Sequence, residues 1–437
     1  MDGHLEYRDP KKRDEVAELA IPILDFKARV VYNSRGDESI EVETSVEGGH
    51  GRASSPSGAS VGKYEAVSFF GGNASRTLTK INSYKDKLVG LDASDPHSLM
   101  HALREIDGTA NYSEIGGSAA YSFSIASAEA ASNALGIPLY QLLLNGEEPR
   151  MPLPLGNVIG GGKHAGEGSP DIQEFLSYPR GTKSIAEGIR ANIQVHKRVR
   201  EILQEKDPRF SGGKGDEGAW APNTSTEGAL EALSEAISAV TDEVGFEIRI
   251  GLDMASTSLW NPREKTYTYS REGGKRRSTE EQIQFVLDLI DEYEIYYVED
   301  PLHEEAFDDT HELTTRVNGC LIVGDDLFVT NTKILERAVK DGAGNGAILK
   351  VNQAGALGDA LEFSELARKH RYQIIASHRS GDTIDANLAH IAIGTGATMI
   401  KSGVVGGERI AKLNELLRID EFSFISRGKS MPLAKDR

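Results

Sequence analysis

Three different rhythms of apolar and polar positions divide the chain. Residues 23–52 alternate, as in SIEVETSV, and the alternation is interrupted by SRGD and EGGHG. Period-two alternation broken by turn residues predicts a small antiparallel meander with one face buried. Residues 76–89 and 96–106 carry apolar positions at helical spacing, and the Ala/Ser-rich stretch 118–135 ends at Gly136, a natural helix stop. Strands followed by helices predict an α+β module of roughly 150 residues.

From MPLPLGNVI onward the rhythm changes to short apolar, β-branched runs separated by amphipathic helical segments. Continuous apolar strands joined by helices are the pattern of a parallel sheet covered on both faces. The seam falls near residues 146–152. The expected organisation is therefore a charged extension over 1–20, an α+β module over 21–149, and a unit of parallel strands with helical crossovers over 150–437, an α/β protein in class.

The ends of the second-half apolar runs carry the chemistry. EIRIGLD ends at Asp253, EIYYVE at Glu299, LIVGD at Asp325, GAILK at Lys350, YQIIASH at His378 and ATMIK at Lys401. In a (β/α) barrel the strand C-termini meet on one rim, so residues distant in sequence face one pocket. A single carboxylate after a strand is ordinarily a turn residue or helix cap. Six titratable residues in succession, the last three two lysines and a histidine, fit a shared pocket better.

Asp253, Glu299 and Asp325 are hard oxygen ligands suited to magnesium. Three carboxylates and one divalent cation still leave a net negative charge, so an anionic substrate needs more cations, supplied by Arg379, Lys401 and a second metal. Lys350 lies among these cations, and neighbouring positive charge is expected to lower its pKa toward that of a general base. An acid opposite that base is available in two Gly-rich segments: GGGKHAGEGSPDIQEF holds His164 and Glu174, and GGKGDEGAWAPN holds Glu217.

Composition narrows the alternatives. A formal charge of −18, with no Lys/Arg run, argues against a nucleic-acid partner. No apolar run is long enough to span a bilayer, and the first twenty residues are charged where a secretory signal is apolar, so a cytoplasmic location is expected. The single cysteine, Cys320, excludes an intrachain disulfide or a thiolate metal cluster. Neither a phosphate-binding P-loop nor a dinucleotide fingerprint nor a G-x-S-x-G nucleophile motif occurs.

At PSGAS, KHAG, IQEF, GDEG, VEDP, VGDDLFVTN, LKVNQ, SHRSGDT, IKSG and GERIAKLNELLRI, taken in that order, the chain resembles the enolase family over nearly its whole length. The resemblance implies a small capping domain, a modified eightfold barrel with an unusual first strand pair, and a homodimer or higher homo-oligomer. It implies reversible dehydration of 2-phospho-D-glycerate to phosphoenolpyruvate with two Mg2+ ions per site. Asp253, Glu299 and Asp325 would hold the tighter magnesium and Ser60 the second. Lys350 would be the base and Glu217 the acid, with Glu174 beside it and His164 on a closing loop. Ser60, His164, Glu174, Lys350, Arg379, Ser380 and Lys401 would contact the substrate, with His378 lining the pocket.

Some positions depart from the family pattern. NSRGDES stands for DSRGNPT, SGASVG for SGASTG, Glu167 for asparagine, and bulky Trp220 follows GDEGA. Glu167 and Trp220 motivate one alternative, an enolase-like paralogue acting on another 2-substituted carboxylate; a second, a non-catalytic binding protein that keeps the fold, stands because fold alone does not establish activity.

Overall fold

The protein is described from a computed structural model that covers residues 20–58, 62–144, 146–166 and 168–435. Ser60 and Glu167, and all but the last residue of the expected charged extension, lie outside the described residues.

The alternating segment forms three antiparallel strands, β1 (Ile23–Tyr32), β2 (Glu38–Val46) and β3 (Gly49–Ser54), in sequential order. Apolar residues of β2 such as Ile40, Val42 and Val46 point inward, and Glu41 and Glu43 on the other face pair with Arg29 of β1. The expected helix 118–135 spans Gly117–Leu135 and ends in a left-handed Gly136. Its alanines and serines permit close packing on the sheet. A Cβ on Gly51 would lie 2.2 Å from the Ala126 carbonyl oxygen, so the strand tolerates only glycine at that contact. The expected helix 96–106 spans Pro96–Asp107, capped by the Asp95 side chain and with proline in its first turn. The expected 76–89 helix is two pieces, Ala74–Ser83 and Lys85–Leu88, because the chain leaves the helical conformation at Tyr84.

Eight strands close a barrel: β4 (Leu153–Gly160), β5 (Glu174–Tyr178), β6 (Arg249–Asp253), β10 (Tyr297–Glu299), β11 (Leu321–Gly324), β12 (Gly346–Leu349), β13 (Gln373–Ser377) and β14 (Met399–Gly403). A minor sheet of β7 (Trp260–Asn261), β8 (Thr266–Tyr269) and β9 (Lys275–Arg277) is inserted after β6. Nearly every barrel-strand residue is buried, which explains the unbroken apolar runs in the sequence. Leu153, Leu176, Tyr297, Val323, Ile375 and Met399 are among those that fill the interior.

β5 runs antiparallel to both of its neighbours, β4 and β6, while every other adjacent pair is parallel. This reversal decides which residues reach the rim where the other strands end. The chain enters β5 at the rim and leaves at the opposite end, so its first residue, Glu174, is the one presented. Two long helices, Ile185–Lys206 and Thr226–Val244, then run up and back before β6. The connection between them, which holds Glu217, therefore also lies at the rim.

Candidate active site

The strand ends meet as the sequence pattern predicts. Asp253 and Glu299 close β6 and β10, Asp325, Lys350 and His378 each follow their strand by one residue, and Lys401 is the third residue of β14. Together with His164, Glu174, Glu217, Arg379 and Ser380, all of these except Glu299 line a single cleft of about 370 Å³. Glu299 lies just beneath it, fully buried.

Lys401 binds three of the carboxylates together. Its Nζ is 2.7 Å from Glu299 Oε2, 2.8 Å from Asp253 Oδ2 and 3.3 Å from Glu174 Oε2. Burial opposes its charge, but Asp253, Glu174 and Glu299 outweigh this and raise its pKa well above that of an ordinary lysine. Lys350 forms an ion pair with Asp325, whose other oxygen accepts from Gln353 at 2.9 Å. Gln353 is held in turn by Thr330 Oγ1, at 2.8 Å.

The electrostatics of Lys350 correct one expectation. Burial, Arg379 and Lys401 all disfavour its ammonium as anticipated, yet its pKa is raised, because the directly bonded Asp325 and nearby Glu299 prevail. A carboxylate in contact outweighs cations further away. The unprotonated amine thus depends on the engagement of Asp325 by another cation.

The carboxylates Asp253, Glu299 and Asp325 are interleaved with the two lysines rather than grouped around one gap. Among the described residues, the tighter convergences of ligand atoms, within 4.8 Å, are His164–Glu174–Glu217 and Asp300–Asp325–Asp326. Metal chemistry nevertheless fits Asp253, Glu299 and Asp325. Glu299 Oε1 is buried with no hydrogen-bond partner, while its Oε2 accepts from Lys401 and, at 2.5 Å, from Tyr297. Burial and the like charges of Asp253 and Asp325 push the Glu299 pKa well above the carboxylate range. An orphaned hard oxygen beside two more carboxylates is the environment that a divalent cation relieves.

Across the cleft, His164 Nδ1 lies 3.4 Å from Glu174 Oε1 and 3.7 Å from Glu217 Oε1. Burial disfavours the imidazolium, but Glu217 and Glu174 raise its pKa to about 9. Glu217 accepts from Asn157 Nδ2 at 2.9 Å and lies 3.0 Å from His378 Nε2. Burial notwithstanding, His378 and His164 hold Glu217 ionised, whereas burial and the Glu217 charge raise the Glu174 pKa. Of the two carboxyls, Glu217 is therefore the stronger acid and Glu174 the one more readily protonated.

Local sequence explains the placement of Glu217. Residue 220 pairs with β4 on both sides, its N–H donating to Val158 O and its carbonyl accepting from Gly160 N, each at 2.9 Å. At Gly403 a Cβ would fall 2.0 Å from the Glu217 carbonyl oxygen, so glycine in β14 admits the loop backbone.

Trp220 itself turns away from the cleft. Its indole stacks on His196 with centroids 4.5 Å apart and donates from Nε1 to the His196 carbonyl at 2.7 Å, against the core behind the barrel wall. The sequence-based suspicion that its bulk alters the substrate pocket is not upheld, because the side chain never reaches that pocket.

Arg379 and Ser380 reach the cleft, and Arg379 is shared with the capping module, Glu65 Oε2 lying 3.2 Å from its Nη1, which also donates to Asn352 Oδ1 of the barrel at 3.1 Å. Glu65, Asn157, Gln173, Asp326 and Arg409 are site residues that the sequence reading did not assign. Gln173, Asp326 and Arg409 stand inside the quoted motifs IQEF, VGDDLFVTN and GERIAKLNELLRI, and no periodic or strand-end signal marks Glu65 and Asn157.

Comparison with known proteins agrees with this architecture. Family models described as "Enolase, N-terminal domain" and "Enolase, C-terminal TIM barrel domain" match residues 23–143 and 148–426. The chain is 46% identical to an enolase of Methanothermobacter thermautotrophicus over 412 residues, which is 94% of this chain and 99% of the relative. It is 45% identical to an enolase of Pyrobaculum aerophilum over 92% of this chain and 96% of that protein. It is 46% identical to one from Halorubrum lacusprofundi, over 91% and 98% respectively. No helix among the described residues is long and apolar enough to cross a membrane. With both domain models matched in order and nearly the full length of its relatives covered, the chain belongs to the enolase family.

Proposed function

We propose that the chain performs the enolase reaction, the reversible dehydration of 2-phospho-D-glycerate to phosphoenolpyruvate, with Lys350 as base and the Glu174–Glu217 pair as acid. The observation that carries the reading is that Lys350 and Asp325 line the same cleft as the Glu174–Glu217–His164 cluster. A substrate held between a base and an acid is what a 1,2-elimination requires.

Magnesium is the metal the donor set suits, with Asp253, Glu299 and Asp325 as ligands of one ion and Ser60 as a contributor to a second. When bound, the cations supply positive charge to the substrate carboxylate and phosphate. Arg379, Ser380, Lys401 and His164 add cationic or hydrogen-bonding contacts to the same anion.

Lys350 Nζ, unprotonated, takes the proton from C2, and the electron pair of that C–H bond moves toward the carboxylate. The pair then forms the C2–C3 double bond as the C3–O bond breaks. The departing hydroxide receives a proton from the carboxyl pair and leaves as water, and His164 stabilises the resulting charge on Glu174 and Glu217. Reversal adds water along the same path.

The domain division at 149/150, a homodimer or higher homo-oligomer and a cytoplasmic location complete the proposal. The test is incubation of chelator-treated protein with 2-phospho-D-glycerate, following the ultraviolet absorbance of the enol phosphate. Product should form only after Mg2+ is added. No product at saturating Mg2+ would transfer the assignment to another 2-substituted carboxylate.

A further inference from the structure

Arg409, near the start of helix Gly407–Arg427, has a relative exposure of 0% and stands behind the residues that line the cleft. Its guanidinium joins two loops of the active site. Nη1 donates to His378 Nδ1 at 2.9 Å, to the Arg379 carbonyl at 2.5 Å and to Asp382 Oδ2 at 3.2 Å. Nη2 donates to the Ser380 carbonyl at 2.7 Å and to the Asp216 carbonyl at 3.1 Å. Nε lies 3.3 Å from Glu408 Oε1.

The contact with His378 has a consequence that follows from donor counting. A guanidinium carries donors only, so Nδ1 must present its lone pair. The Gly403 N–H approaches the same nitrogen at 3.3 Å and imposes the same requirement. With Nδ1 as acceptor, the neutral ring carries its proton on Nε2, the atom 3.0 Å from Glu217 Oε2. The other tautomer would set two lone pairs against each other at that contact and two donors against each other at Arg409.

The charges facing the ring favour the neutral form as well. Burial and the Arg409 cation disfavour the imidazolium more than Glu217 and Asp382 favour it, and the His378 pKa falls to about 4.

We propose that Arg409 is a positioning residue that locks His378 in the tautomer protonated at Nε2. It thereby turns a protonated Nε2 toward Glu217 Oε2, 3.0 Å away, while joining the 216–218 turn to the 379–382 loop. The inference rests on the reading of Glu217 as part of the acid.

Neutron diffraction of the deuterated full-length protein tests the tautomer directly. Deuterium is expected on His378 Nε2 and none on Nδ1; deuterium on Nδ1 overturns the proposal without reference to catalysis. Arg409→Met then tests the consequence. In the folded variant, kcat should fall roughly 10- to 100-fold, by analogy with the loss of the partner that orients a metal-ligating histidine. KM and Mg2+ affinity should be retained, and the acid limb of the pH–rate profile should move to higher pH as His378 becomes easier to protonate. Arg409→Lys should restore part of kcat. Wild-type kcat with an unmoved acid limb, or equal losses in kcat, substrate binding and Mg2+ affinity, would reject the positioning role. If the methionine variant does not fold, the neutron map alone decides. Full activity of Glu217→Gln would instead remove the catalytic reading and leave the tautomer standing.

Discussion

Glu174, the first residue of β5, is paired in register with Asp253, the last residue of β6. In a barrel of parallel strands these positions would lie at opposite ends. The reversed β5 brings them to the same rim, where Lys401 Nζ reaches both, and so places a carboxyl of the proposed acid pair beside the proposed metal ligands. The relationship separates two functions that single substitutions can distinguish.

Lys350→Ala should reduce turnover by about 10³-fold or more, the scale of a lost general base, while leaving magnesium binding measurable. Steady-state rates together with calorimetric Mg2+ titration check this. Retention of wild-type turnover would remove Lys350 from the role of base.

Glu217→Gln should impair the loss of hydroxide more than exchange of the C2 proton with solvent. The exchange requires only the base side of the cleft, whereas the elimination requires the carboxyl pair. Isotope exchange into unreacted 2-phospho-D-glycerate, compared with product formation, measures the difference. Equal losses in both would place Glu217 outside the acid step.

Stability should fall as the pH is lowered from about 6.5 to about 4. His196 is buried, bonded to the Gly218 carbonyl at 3.0 Å and stacked on Trp220, and burial lowers its pKa to about 4. The unfolded imidazole titrates near 6.5, so between these values the unfolded chain binds more protons and acid favours unfolding. The full effect at this one residue is about 3 kcal/mol. Denaturation midpoints of the wild type and His196→Gln across this window should converge as the pH falls. Parallel curves would show that His196 contributes nothing to the slope.

Trp220→Ala should cost about 3–5 kcal/mol of stability, as expected for deleting a buried indole, and should lower kcat by loosening the Glu217 loop. The preference for 2-phospho-D-glycerate over related 2-substituted carboxylates should not change. A variant with an altered preference and unchanged stability would mean that the indole shapes the substrate pocket after all.

Much of the site is legible in the sequence because a buried parallel strand has a one-dimensional signature. A continuous apolar run ends where the chain emerges on the rim, so Asp253, Glu299, Asp325, Lys350, His378 and Lys401 are marked by position alone. The meander and the Ala/Ser-rich helix are legible for the same reason, their periodicities being set by which face is buried.

What a residue does once it arrives there depends on neighbours that periodicity does not encode. The reversed β5, the pairing of residue 220 with β4 and the outward turn of the Trp220 indole are settled by packing between segments distant in sequence. Protonation states are settled in the same way. The cations expected in the shared pocket suggested a depressed Lys350 pKa, whereas direct contact with the Asp325 carboxylate raises it. Strand order and burial are local properties of a chain and can be read along it. Coulomb energies and hydrogen-bond directions vary with distances of a few ångströms between side chains, and only the folded molecule sets those distances.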